Sequence, residues 1–286
     1  MNFNQLSTSE LDRDLTPEER AEWNAIYASY QSRSLLTGEV FGIDSYAIDS
    51  NGKPLLAAII IAYRVKVLIP HEFLWDDAEN IPAEITKNLL GAKIDYVIQN
   101  IDRENGVCVA SRIAATQIRR KQFFKTKPKV NDRITCNVLA VGMKRMFVEV
   151  GGFDINLMWN ELRYSAFSDF RFNYSTGQTL PAIIKSVNKR KPIAEALTIS
   201  VREARPHPFL GLRKRHPVNS RRKSIIIGKY KGLIFCKLEE DFDCLCKYSA
   251  YQSDDDFQIG DNVIITIKEY DDNSKRVYGV IISKWR

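Results

Sequence analysis

Three histidines and five cysteines are the side chains of this 286-residue chain that could hold a metal or run redox chemistry. His71 follows a strand pattern, while His207 and His216 sit among prolines and arginines, so no metal or triad spacing forms. Cys236, Cys244 and Cys246 are close enough in sequence to weigh as zinc ligands, but a structural zinc site needs four thiolate or imidazole donors. Cys244 and Cys246 alternate and share a strand face, and Cys108 and Cys136 also occupy apolar strand positions, so all five are expected as buried thiols. An odd number of thinly spread cysteines argues against a disulfide framework. Asp254-Asp255-Asp256 is expected as a solvated acidic loop, and neither a phosphate-binding Gly-x-x-x-x-Gly-Lys loop nor a dinucleotide fingerprint is present. The sequence therefore predicts no catalytic residue, no metal and no cofactor.

The remaining chemistry is charge. Forty-two Lys and Arg against 35 Asp and Glu give a net charge of +7, and the excess is segmented. From Arg112 to Arg145 the run includes Arg119, Arg120, Lys121, Lys144 and Arg145, with Asp132 as its only acid. From Lys185 to Lys231 it includes Lys189-Arg190-Lys191, Arg213-Lys214-Arg215 and Arg221-Arg222-Lys223 against Glu195 and Glu203. Like-charged blocks call for an anionic partner, and nucleic acid is the expected one, with solvated linkers as the competing explanation. The hydrophobic fraction of 44% suits a globular chain of two or three units. Its longest apolar run, Leu55 to Ala62, falls far short of the roughly 20 residues of a membrane span. It is expected as a buried strand, and no membrane association is expected. The opening Met1 to Leu6 lacks the basic and apolar pattern of a secretory signal, so a cytoplasmic location is expected.

The elements that must position this charge repeat three times. The segments 91–102, 177–188 and 260–271 each open with Gly, alternate apolar and polar residues, and reach Asp or Asn at the same offset. Ile94, Tyr96 and Ile98, then Leu180, Ala182 and Ile184, then Val263, Ile265 and Ile267 mark half-buried strands of period two. Tight turns follow at Asp102 to Gly106, Asn188 to Pro192 and Asp271 to Ser274, and a second strand follows each turn. Another strand pair precedes each closing hairpin, clearest at Arg133 to Val141 and Met146 to Val150. Short strands in units of about 80 residues point to small closed barrels of the oligonucleotide/oligosaccharide-binding (OB) type, because closure removes exposed edges.

These strings carry a family resemblance. Gly91 to Arg112, Phe147-Val-Glu-Val-Gly-Gly-Phe-Asp154 with Asn160-Glu-Leu162, and Arg276 to Ile282 resemble the RNA-binding repeat of the ribosomal protein S-one family, from Leu35 almost to the end of the chain. The resemblance implies an all-β fold of three tandem five-stranded OB-type barrels with a short N-terminal helix. The expected parts are 1–34 as an N-terminal helical segment, 35–116, 129–205 and 219–286 as repeats, and 117–128 and 206–218 as basic linkers. In that family a barrel face holds single-stranded RNA with aromatic and basic side chains of the second and third strands. Phe147 and Phe235 fall at the strand-two aromatic position, whereas Pro70, Met158 and Lys247 stand where a His commonly ends the third strand.

The expected function is thus a non-enzymatic single-stranded RNA-binding protein, associated with messenger RNA or the small ribosomal subunit. Lys144, Arg145, Phe147, Trp159 and Arg163, or Phe235, Lys247 and Tyr248, would meet unstacked bases, while Arg119, Arg120, Lys121, Arg213, Lys214 and Arg215 gather phosphates. Core packing is the competing role for Phe147, Phe235 and Trp159. The alternative function is an accessory factor that docks on the ribosome or a polymerase and barely touches RNA. Before the barrels, Thr16-Pro17-Glu18-Glu19 reads as a capped helix start. The helix should run to about Tyr30, with Trp23, Ile26, Tyr27 and Tyr30 on one face. That face either packs on the first barrel or docks a partner such as the ribosome.

Overall fold

The structure is a computed structural model and describes residues 16–48, 54–62, 65–78, 81, 83–165, 169–230, 232–249 and 252–285. The expectation for Met1 to Leu6 lies outside the described residues. The chain divides into two compact units, residues 1–156 with 170–198, and residues 157–169 with 199–286. None of its described helices is long and apolar enough to cross a membrane.

In the first unit, helix α1 (Pro17–Ser32) begins with the expected capping box. Glu19 N–H donates to Thr16 Oγ1 at 3.3 Å, and Thr16 N–H donates to Glu19 Oε2 at 2.8 Å, satisfying two orphan donors of the first turn. Ile26 is fully buried and Trp23 packs against the same core, so this part of the face lies on the first barrel, while Tyr30 is 45% exposed. The barrel has β1 (Leu36–Ile48), β2 (Pro54–Ala62), β3 (Val65–Pro70), β4 (Lys93–Asp102) and β5 (Val107–Ser111). Its order is β1-β2-β3-β5-β4, closed between β1 and β4, with a parallel β3–β5 pair. Short helices α2 (His71–Leu74) and α3 (Ala83–Lys87) fill the β3–β4 connection, tied by Thr86, whose Oγ1 accepts the Trp75 indole N–H at 3.0 Å.

The second repeat opens with helix α4 (Arg112–Lys125), capped by Ser111, whose Oγ accepts the Ala114 N–H. It continues through β6 (Arg133–Val141), β7 (Arg145–Val150), β8 (Phe153–Met158), α5 (Trp159–Leu162), β9 (Thr179–Val187), α6 (Ile193–Ala196) and β10 (Leu197–Ser200). Its five strands run in the order β10-β9-β6-β7-β8, the order of the first barrel read from a different starting strand. β10 is only four residues long, and its end turns to α5, with the Val201 N–H donating to the Glu161 carbonyl at 2.9 Å. The second unit carries helix α7 (Leu212–Arg215) and the third barrel, β11 (Arg221–Tyr230), β12 (Leu233–Glu239), β13 (Phe242–Lys247), β14 (Asn262–Asp271) and β15 (Arg276–Lys284). It closes in the same order as the first, β11-β12-β13-β15-β14.

The repeat seen in sequence is held by one hydrogen-bond device used three times. The N–H groups of Gly91, Gly177 and Gly260 donate to the carbonyls of Val40, Val138 and Ile226, and those three residues donate back to the carbonyls of Ala92, Gln178 and Asp261. All three glycines have φ between 79° and 97°, a region that disfavours a side chain. Seven residues before Val40, Val138 and Ile226, the chain enters each first strand through a left-handed residue, Arg33, Asn131 or Asn219. A helix precedes each of these entries, so the stretches expected as linkers, 117–128 and 206–218, contain the second half of α4 and the short α7, the leads of their repeats.

Candidate nucleic-acid interface

The basic residues of α4 do not share one role. Arg112 is fully buried and forks onto Asp154 of β8 at 2.5 and 2.8 Å, donates to the Leu74 carbonyl at 3.0 Å, and lies 5.1 Å from the Trp75 ring centre. Burial opposes its charge, and the Asp154 carboxylate overcomes that penalty and holds its pKa above the usual arginine range. Glu149 next to it is pushed up by burial, against the pull of Arg112 and the Gly152 N–H. Arg120 is likewise buried, donating to both oxygens of Asp76 and to the Gly152 carbonyl. Arg119 reaches Asp95 at 2.5 Å. Arg120, expected on phosphates, is thus engaged in a buried ion pair with the β3–β4 connection, and Arg119, its side chain 40% exposed, in a pair with Asp95 of β4; Lys121 stays exposed. The cradle around Gly152 is tight: an added Cβ would lie 2.3 Å from the Thr116 carbonyl oxygen.

The second repeat's strand-two aromatic is also committed. Phe147 is 8% exposed, meets Trp75 edge-on at 5.5 Å, and belongs to the core cluster of the first unit. The β3–β4 connection covers it: Glu84, Ile85 and Asn88 close a cavity of about 100 Å³ whose other walls include Arg145, Phe147 and Asn156. Phe147 is thus a packing residue rather than a stacking platform, while Lys144 and Arg145 remain exposed on the β6–β7 turn. In the second unit Trp159 is 37% exposed at the start of α5, and Arg163 is buried, 3.9 Å from Glu240.

The third barrel differs. Strand pairing places Phe235 of β12 beside Leu245 of β13, and Leu245 beside Tyr278 of β15. These three alternate with the core residues Cys236, Cys244, Cys246 and Val277, so they share the outer face, half-buried. On its other side Phe235 pairs with Gly228. Strands about 4.8 Å apart set the two rings about 10 Å apart across Leu245. Exposed Lys237 and Lys247 flank the row on the same two strands. The equivalent row of the first barrel is Ile59, Leu68 and Val109, aliphatic throughout.

Tyr248, expected on bases, instead stacks on Phe257 at 5.5 Å and donates its hydroxyl to Asp254, and burial followed by that bond raises its pKa. On α7, Arg213 pairs with Asp272 at 2.9 Å and Arg215 forks onto Glu239, while Lys214 is exposed. Leu245 and Tyr278 escaped the sequence reading. Their signal was register, since each alternates with a core residue beside a barrel neighbour that only pairing reveals.

The cysteines are free and buried in the described structure, with Cys244 and Cys246 Sγ atoms 3.6 Å apart. Among the described residues no group of three His, Cys, Asp or Glu side chains is arranged to hold a metal.

No family model matches this sequence, nor does any curated protein. Among solved structures, the chain is similar to a multidomain protein with nucleic acid binding domains from Streptococcus pneumoniae, at 11% identity over 87% of this chain and 73% of that one, with a TM-score of 0.21. It is also similar to Drosophila Unr CSD456, at 11% identity over 88% and 98%, with a TM-score of 0.18. Scores this low carry no functional weight. The OB-type assignment of the first and third barrels stands on their own strand order and closure.

Proposed function

We propose that this chain is a non-enzymatic RNA-binding protein whose stacking face is the third barrel. The observation that carries this is the Phe235–Leu245–Tyr278 row, two rings on one outer face with Lys237 and Lys247 beside them. Unstacked bases lie on such rings whatever their sequence, and the lysines answer the phosphates between them. A duplex keeps its bases stacked inside and gains nothing from the rings, so the face favours single strands. The first barrel, with its aliphatic row, and the second repeat, with Phe147 covered, contribute charge and scaffold instead. We place the RNA on the small ribosomal subunit or on messenger RNA.

Photocrosslinking full-length protein to a 4-thiouridine oligonucleotide, followed by peptide mapping, tests this. Crosslinks within 233–247 and 276–284 support it. Crosslinks confined to other segments overturn the assignment of the face. Failure to crosslink at low salt, with co-sedimentation on ribosomes, establishes the accessory-factor alternative, which would use isolated exposed apolar residues such as Phe41, 70% exposed.

A further inference from the structure

We infer that the second repeat carries a separate site for the phosphodiester backbone of nucleic acid, duplex as well as single strand, where the end of α4 meets the β9–β10 hairpin. β6 starts where β9 ends, because the two pair antiparallel with Arg133 opposite Ile183, and the Asn131 N–H donates to the Ile184 carbonyl at 2.9 Å. The chain entering β6 and the chain leaving β9 must therefore emerge together. Lys189 shows that they do, with its ammonium 5.8 Å from the centre of the Phe124 ring on α4.

The contact joins two basic clusters at least 60 residues apart in sequence. Lys121, Lys125 and Lys129 come from α4 and the loop after it, and Lys189, Arg190 and Lys191 from the hairpin; all six are exposed. Their acids are few: Asp132 accepts the Lys129 backbone N–H, and Glu195 lies 3.6 Å from the Lys191 ammonium in an exposed pair of little strength. A cluster of like charges brought together without balancing carboxylates stores repulsion that a row of phosphates relieves. Positive side chains at the C-terminal end of a helix also offset its dipole, which accounts for Lys125 alone and not for the hairpin. The ring beneath Lys189, Phe124, is half-buried. The patch therefore engages backbone charge without reading bases, which is why it accepts duplex and single strand alike.

This rests on the proposed function only for the class of partner, and the test separates the two. Affinity of the full chain for a 20-bp RNA duplex and a 20-nucleotide oligouridine is measured by fluorescence anisotropy across a salt series. K121A/K125A/K129A and K189A/R190A/K191A should each flatten the slope of log K against log salt, by about 2.7 on the duplex and about 2 on the single strand, at 0.9 and 0.7 per contact. R190E/K191E leaves Lys189 on its ring and should also flatten the slope, which guards against a loss of folding in the triple variant. Folded variants with wild-type slopes on the duplex overturn the site, and so does a loss confined to one cluster. Equal loss of binding to phosphatidylserine vesicles with RNA binding intact assigns the patch to a membrane surface and also overturns it. Duplex binding that survives Y278A while oligouridine binding falls keeps both sites; duplex loss in the lysine variants with Y278A silent leaves this site standing and removes the stacking face.

Discussion

The Lys189 ammonium over the Phe124 ring has a counterpart in the first repeat, where the Arg103 guanidinium lies 5.0 Å from the Trp23 ring centre and bonds the Tyr27 hydroxyl at 3.1 Å. Arg103 and Lys189 both stand twelve residues after the glycine that opens their repeat. Each time, a cation on the closing hairpin clamps an aromatic ring on the preceding helix. The third repeat keeps the position and inverts the charge: Asp272 on the hairpin pairs with Arg213 on α7. The repeat unit is therefore a helix followed by five strands, with the helix fastened to the hairpin by this one side chain.

The glycines that open the repeats should not be equally replaceable. An added Cβ on Gly177 would lie 2.3 Å from the Gly91 carbonyl oxygen, whereas on Gly260 it meets nothing within 4 Å. Gly260→Ala should cost about 1 to 2 kcal/mol from the left-handed backbone alone, and Gly177→Ala clearly more, because backbone must also move. Urea unfolding of both variants checks the order; equal losses would refute the close approach.

Breaking the buried pair beneath α4 should be severe. Asp154→Asn leaves the fully buried Arg112 guanidinium without its carboxylate and should destabilise by about 3 kcal/mol or more. Arg213→Ala removes an exposed pair and should cost less than about 1 kcal/mol. Thermal unfolding monitored by circular dichroism compares them.

The second unit should be more stable in mild acid than its buried carboxylates allow at neutral pH. Burial raises the Asp243 pKa from an ordinary 3.8 to about 6, against the help of Ser165 and Lys237 and with neighbouring Asp241 adding to the rise. One of its oxygens, Oδ1, is buried with no hydrogen-bond partner. A carboxyl whose folded pKa is raised supports folding fully below about pH 4, and that support is lost as pH rises through about 6. Asp243→Asn should stabilise the protein at pH 7 by roughly 2 to 3 kcal/mol and flatten the stability profile between pH 4 and 6. Asp241 is raised by burial as well and receives the Tyr164 and Ser165 N–H groups, so a residual slope in the variant belongs to it.

The sequence made the repeated strands legible because glycine spacing and period-two alternation are local signals, and the capping box at Thr16 is equally local. Two things were not local. Phe147 looks like a strand-two aromatic in any window, yet its fate is decided by Trp75 and Ile85, which lie far away in sequence in the β3–β4 connection. Arg119 and Arg120 look like one basic cluster with Lys121, but helix rotation sends them to Asp95 and Asp76 and leaves Lys121 outside. Charge counting sees their sign and not their partners.

The most direct test of the stacking face is the affinity of folded Tyr278→Ala for oligouridine, measured beside wild type at one fixed salt concentration. The expected loss is about 1 to 3 kcal/mol, with duplex binding unchanged, because a ring on the outer face contributes by stacking on an unpaired base. A folded Tyr278→Ala protein that binds oligouridine as tightly as wild type would contradict it.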